Sequence, residues 1–337
     1  MEFSATAQAL KCPNCSREIE IENNPEDVVE HELSIHDMKR IKVEDKTSMS
    51  MECEGCGAIV EVDATSTATT CPYCGSHYVL SQKQIESIVP DGVIPFKIDK
   101  KDVEGIFNNW IKKRWLAPNI LKTLYQKDKV QGIYIPYWTF DADTSTNYTA
   151  MGGIDHVVEY KDSKGETHTR VDTRWYPTRG HIDYFFDDVL VRASTKVSEN
   201  LLEHIEPYDT KQVASYSPDY MSGYCAEVFT IDLKEAHGDA RYKISRNIEQ
   251  MAERDVLRRF DRVRSVRLNT SYRDETYKHI FIPVYSTAYT YKDNHYHVLI
   301  NGETGKIKGE YPKSPFKIAA IVIVVLIILI IIYLATS

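Results

Sequence analysis

A chain of 337 residues with a formal net charge of −8 is too long for one small domain and too acidic for a protein built to coat nucleic acid. Six of its seven cysteines fall in three C-x-x-C pairs, which in a reducing cytosol read as metal sites or redox centres rather than disulfides. The opening residues MEFSATAQALKCPNC lack a basic n-region and an apolar h-region, so no signal peptide is expected.

Residues 1–48 form an N-terminal C-x-x-C and histidine segment. Cys12-Pro13-Asn14-Cys15 is a knuckle without a matching cysteine pair. Two readings stay open. Either His31 and His36 complete a C-x2-C-x15-H-x4-H zinc site, or the segment is a degenerate half-ribbon. The histidines lie in VVEHELSIHDMKRI, which reads as an amphipathic helix. Positions five apart on a helix diverge by about 140°, a poor chelate. HELSIH also misses the H-E-x-x-H interval of a zinc protease by one residue.

Residues 49–88 carry the strongest signal. Cys53, Cys56, Cys71 and Cys74 stand as C-x2-C-x14-C-x2-C, with Gly57 and Gly75 after each pair. Two cysteines three apart on a tight turn aim both sulfurs at one ion, and the following glycine accepts left-handed backbone. The expectation is a closed tetrathiolate Zn2+ ribbon, with short strands in Ala58–Val62 and His77–Leu80.

Residues 90–312 read as an aromatic-rich α+β body. Pro90 and Pro95 mark a linker running into an edge strand. Asp99 is the expected N-cap of a helix bearing Val103, Ile106, Phe107, Trp110 and Ile111 at helical spacing. Trp110 and Trp115 are expected in the core. Strands follow from Gln131, then a hairpin turning at Lys164-Gly165. IDYFFDDVLV is a further strand and VSENLLEHI a short helix. A long helix begins near Asp232, with Ile244, Ile248, Ala252, Val256 and Phe260 along one ridge. GIYIPYWTFDAD and HIFIPVYSTAYT echo each other. The echo marks either two related halves, 90–195 and 196–312, or chance similarity of aromatic strands.

No catalytic pattern is legible in the body. Gly302–Lys306 lacks phosphate-loop spacing, and no G-x-S-x-G or G-x-G-x-x-G occurs. No enzyme is expected, and no helicase, protease or nucleotide-binding role. The arginines between Arg246 and Arg267 read as a solvated helix face laced with ion pairs, or as a patch for anionic lipid.

Residues 317–335 read as a single transmembrane helix. Ile318–Ala335 contains no charge, proline or glycine, and eighteen residues at about 1.5 Å each span roughly the hydrocarbon thickness. Lys306, Lys308, Lys313 and Lys317 precede it, so the N-terminus is expected in the cytoplasm of a single-pass cell-membrane protein.

The strings CEGCGA, CPYCGS, VPDGVIPFKID, GIYIPYWTFDA, FDDVLVRAS, HIFIPVYSTAYTY and VLINGETGKIKGEYP resemble a bacterial family described as zinc-ribbon proteins of transcription-factor-IIB type, often labelled primosomal helicase-like. Within it they resemble the YdjG-type members with a C-terminal membrane anchor. The likeness runs from about residue 50 onward. Before that the chain departs from the family pattern, since only Cys12 and Cys15 stand where a full ribbon has two pairs. The resemblance implies a membrane-tethered adaptor in an envelope-stress response. It also implies its partners: a PspA-like coat protein, an SPFH-domain protein and a sister membrane protein. The alternative is nucleic-acid binding through the ribbon, against which stands the absence of Lys and Arg from 49–80.

Overall fold

The computed structural model describes residues 1–23, 27–34, 49–53, 59–62, 71, 73, 83–84, 89–123, 130–161, 163–291 and 294–336. It is a mixed α/β body with one helix standing out at its C-terminal end. Fifteen strands and four α-helices follow one another along the described chain.

Two long strands form the spine. They are β9 (Gln131–Lys161) and β13 (Arg262–Tyr291), paired antiparallel with His279 opposite Trp138 and Ile282 opposite Ile135. The stretch from Ile133 to Ala142 is buried residue after residue, polar ones included. That is the pattern of a strand covered on both faces. Beyond it the sequence alternates, and so does the burial. β10 (Thr167–Arg192) lies on the other side of β9, with a bulge between Phe186 and Val189. The hairpin turns at Gly165, whose φ of +84° suits a residue without a Cβ.

Shorter strands extend this sheet. β14 (Asn294–Asn301) pairs with β13, and β15 (Ile307–Gly309) pairs with β14. β8 (Gly92–Val93) pairs with β13 and with β11 (Ala214–Ser215). β12 (Cys225–Glu227) runs parallel to β9 and takes β6 (Ile59–Val62) on its other side. β6 in turn pairs with β5 (Met49–Glu52), and β5 with β7 (Lys83–Gln84). The strands around the second C-x-x-C region are therefore hydrogen-bonded into the body's own sheet. A separate three-stranded sheet, β1 (Glu2–Ser4), β2 (Ala9–Lys11) and β3 (Glu18–Glu20), holds the N-terminus.

α3 (Leu233–Leu257) lies across the sheet with Ile244, Ile248, Ala252 and Val256 buried, the ridge its four-residue spacing predicts. Phe260 packs just past its end. Asp232 caps it, accepting from the Glu235 amide at 2.8 Å. α1 (Lys100–Lys112) buries Val103, Phe107, Trp110 and Ile111. Asp99 stands at its N-cap position but does not cap with its side chain. The carboxylate instead accepts from Thr6 and pairs with Lys101. α2 (Glu199–Ile205) is the short helix expected there.

Two expectations fail here. Trp115 is 63% exposed rather than in the core. His31 is on β4 (His31–Glu32), a strand paired with β13 opposite Tyr277, not on a helix. An apolar pattern too short to fix its period is settled by the edge of β13 that it meets.

α4 (Pro315–Thr336) is the one helix among the described residues long and apolar enough to cross a membrane, and its apolar stretch is not buried in the body. At 1.5 Å per residue its length is about 33 Å.

Candidate functional site

Cys53 follows β5 directly and is 1% exposed; Cys71 is 2% exposed. Both belong to one buried cluster with Tyr73, Ile133, Ile135 and Leu202, against which Cys225 packs. Cys53 and Cys71, one from each half of the C-x2-C-x14-C-x2-C pattern, thus both lie in the body's core. Cys56 and Cys74 lie outside the described residues, as does His36. Cys12, Cys15, Cys53, Cys71 and Cys225 form no disulfide.

One of these sulfurs, Cys71 Sγ, receives the kind of donor a thiolate wants. The Tyr73 amide donates to Cys71 Sγ at 3.4 Å. An N–H to sulfur bond from two residues on stabilises negative charge there and aims the sulfur out of the turn. Burial pushes the Cys225 thiol up to about 11, and the nearby Cys71 adds to it. Cys225 is therefore a protonated packing residue.

Tyr73 also ties the turn to the body. Its hydroxyl donates to Glu227 Oε2 at 2.6 Å. The Ser194 hydroxyl donates to the other oxygen of the same carboxylate. Glu227 is 1% exposed, and burial pushes its carboxyl up to about 7 although both hydroxyls pull the other way. A carboxyl group at the junction of turn, β12 and β9 is thus poised between its two charge states near neutral pH.

The Cys12–Cys15 turn sits between β2 and β3, away from this cluster. Amides of Cys15 and Asn14 hold the Cys12 thiol below its usual range. Ser16 takes φ +58°, the left-handed place where a knuckle commonly has glycine. His31 is engaged elsewhere, with Nε2 at 2.7 Å from Asp91 Oδ1 and its ring beside Tyr277.

Sequence reasoning passed over a charged group on the sheet face opposite α3. Carboxylate oxygens of Asp141, Asp187 and Asp188 lie within 4.8 Å of one another. Lys278 fills the place of a cation among them, 2.8 Å from Asp188 Oδ1 and 2.8 Å from Glu30 Oε1. Burial pulls the Lys278 ammonium down, yet its bonds to Asp188 and Glu30 hold it above its ordinary range. Lys278 thus supplies one buried counter-charge to this acidic group. The signal for it, and for Glu227, was a lone charge inside an apolar run, TYKHIFIP and YCAEVF.

No family model matches the chain, and no solved structure matches it. Over 321 residues it is 27% identical to the uncharacterized protein YdjG of Bacillus subtilis (strain 168). That match spans 95% of this chain and 89% of the relative.

Proposed function

We propose that this chain is a non-enzymatic adaptor, tethered by α4 to the inner face of the cell membrane, whose body docks cytosolic proteins there in an envelope-stress response. The observation that carries the reading is α4 itself, whose stretch from Ile318 to Ala335 is uncharged, apolar and unburied beside a body that has a core of its own. Lys306, Lys308, Lys313 and Lys317 favour a cytoplasmic body. Similarity to YdjG over most of the chain and the quoted motifs support membership of the transcription-factor-IIB-type zinc-ribbon family. The partners that membership suggests are a PspA-like protein, an SPFH-domain protein and a sister membrane protein.

Zn2+ belongs to the same proposal. Its ligands are Cys53, Cys56, Cys71 and Cys74, and the residues fit such a group. Two thiols buried in one cluster, one of them receiving an amide N–H, are the donor chemistry a soft dication selects. The ion would supply structure rather than reaction, fixing the turn that presents Tyr73 to Glu227.

Pull-down from cells expressing the full chain and the Ile318–Ser337 deletion tests the tether. Partners lost from the membrane fraction with the deletion support the reading. Unchanged recruitment by the deleted chain refutes it.

A further inference from the structure

The place where α4 leaves the body is fastened on the inside and greasy on the outside. Lys317 Nζ donates to the carbonyls of Trp115 and Ala117 at 2.9 and 2.7 Å, and to Asn119 Oδ1 at 2.9 Å. All three of its protons are thereby used on one loop. The Ser314 amide donates to the Leu116 carbonyl at 2.8 Å. Arg114 lies over the rings of Trp110 and Tyr311, which meet edge to face at 6.0 Å. The end of α1, the loop after it and the foot of α4 are thus one rigid piece.

From that piece Trp115, Ile120 and Phe316 project at 63%, 55% and 84% exposure. Each is in, or next to, a residue that Lys317 bonds, or next to Lys317 itself. Lys112, Lys113 and Lys313 are exposed beside them. The segment from Lys112 to Lys122 holds four cations and no acid, in a chain that is acidic overall. An exposed tryptophan with aliphatic neighbours and lysines, placed at the foot of an apolar helix, has the composition of a headgroup-level anchor.

We propose that Trp115, Ile120 and Phe316 insert at the headgroup boundary of the bilayer α4 enters, with Lys112, Lys113 and Lys313 against anionic lipid. The proposal rests on the reading of α4 as a spanning helix. It adds that the body sits on the membrane in one fixed pose instead of swinging from a tether. The occupant follows from continuity, since these side chains begin where α4 begins, and from charge, since lysines among apolar groups complement phosphate over acyl chain.

The test uses the full chain in nanodiscs of phosphatidylcholine, alone or mixed with phosphatidylglycerol, with acyl chains brominated near the headgroup. The fluorescence of Trp115 is the difference between wild type and Trp115→Phe. The expected result is that bromination dims it by about half or more, as for an interfacial indole, and more in anionic discs. The Lys112→Glu/Lys113→Glu variant is expected to lose the anionic preference. Chain that resists carbonate extraction while Trp115 stays unquenched overturns this proposal and leaves the tether standing; that result would turn the patch into a protein contact. Chain extracted by carbonate overturns both.

Discussion

Replacing Glu227 by glutamine should stabilise this protein at alkaline pH and do almost nothing at acid pH. In the folded chain the carboxyl is pushed up to about 7 from an ordinary 4.5. Unfolded, it returns to the lower value. The native state therefore binds the proton more tightly. Its contribution is fully present below about pH 4.5 and is lost as pH rises through about 7. At roughly 1.4 kcal/mol per pH unit the interval corresponds to at most about 3.5 kcal/mol. Glutamine keeps an acceptor oxygen for one of the two hydroxyls, offers its NH2 to the oxygen of the other, and never ionises. Urea unfolding of both full-length proteins in the same detergent, near pH 5 and near pH 8, reads the difference. The expected result is a small offset at the lower pH that widens at the higher one, where the variant is more stable by roughly a further 1–3 kcal/mol. An offset between the two proteins that is the same at both pH values would refute the claim that burial governs this carboxylate.

Lys278→Met should cost about 3–5 kcal/mol, because Asp188, itself 8% exposed, loses its counter-charge; thermal unfolding should show most of it restored by adding Asp188→Asn, which tolerates the φ of +50° at that bulge. Gly180→Ala places a Cβ within 2.4–2.5 Å of the buried Tyr148 ring and should destabilise by about 1–3 kcal/mol. Gly105→Ala, on α1 with open space around it, should instead stabilise by about 0.5–1 kcal/mol in the same melt. Metal analysis of the purified chain should give a single zinc ion, lost in Cys71→Ser and kept in Cys12→Ser, because His31 is bonded to Asp91; a second ion would restore Cys12, Cys15, His31 and His36 as a site.

What could be read before folding was whatever repeats along the chain. The ridge of α3 is spelled by residues four apart, and α4 by an unbroken apolar run. The hairpin at Gly165 shows in a turn signal between alternating strands. Other features depend on a partner far away in sequence. His31 lies on a strand because Tyr277 offers an edge. Asp99 turns from its helix toward Thr6. Trp115 is outside because the loop bearing it is held by Lys317, about two hundred residues on. The echo of Ile-Pro segments concerns position more than likeness. Pro136 faces Phe281 and Pro283 faces Tyr134, so the echoing strands lie side by side in one sheet. Helix–strand–strand recurs as α1–β9–β10 and α3–β13–β14.

The same pairings link the buried cysteines Cys53 and Cys71, the body and the foot of α4. Had the region of Cys53 and Cys71 been a bead on a linker, its position would wander over the reach of a random coil. Instead β6 bonds β12, β12 bonds β9, and Tyr73 reaches Glu227. From β9 the path runs through β13 and β14 to β15, and α1 joins that end to α4 through Trp110 and Tyr311. Each step is a backbone ladder or a packed ring, not a flexible segment. A disturbance at the sulfurs therefore has a short route to β9, and a partner docked on the sheet would be held at a set height above the bilayer. Under the function proposed above that would be useful, because binding a second protein would then cost no further ordering of the first.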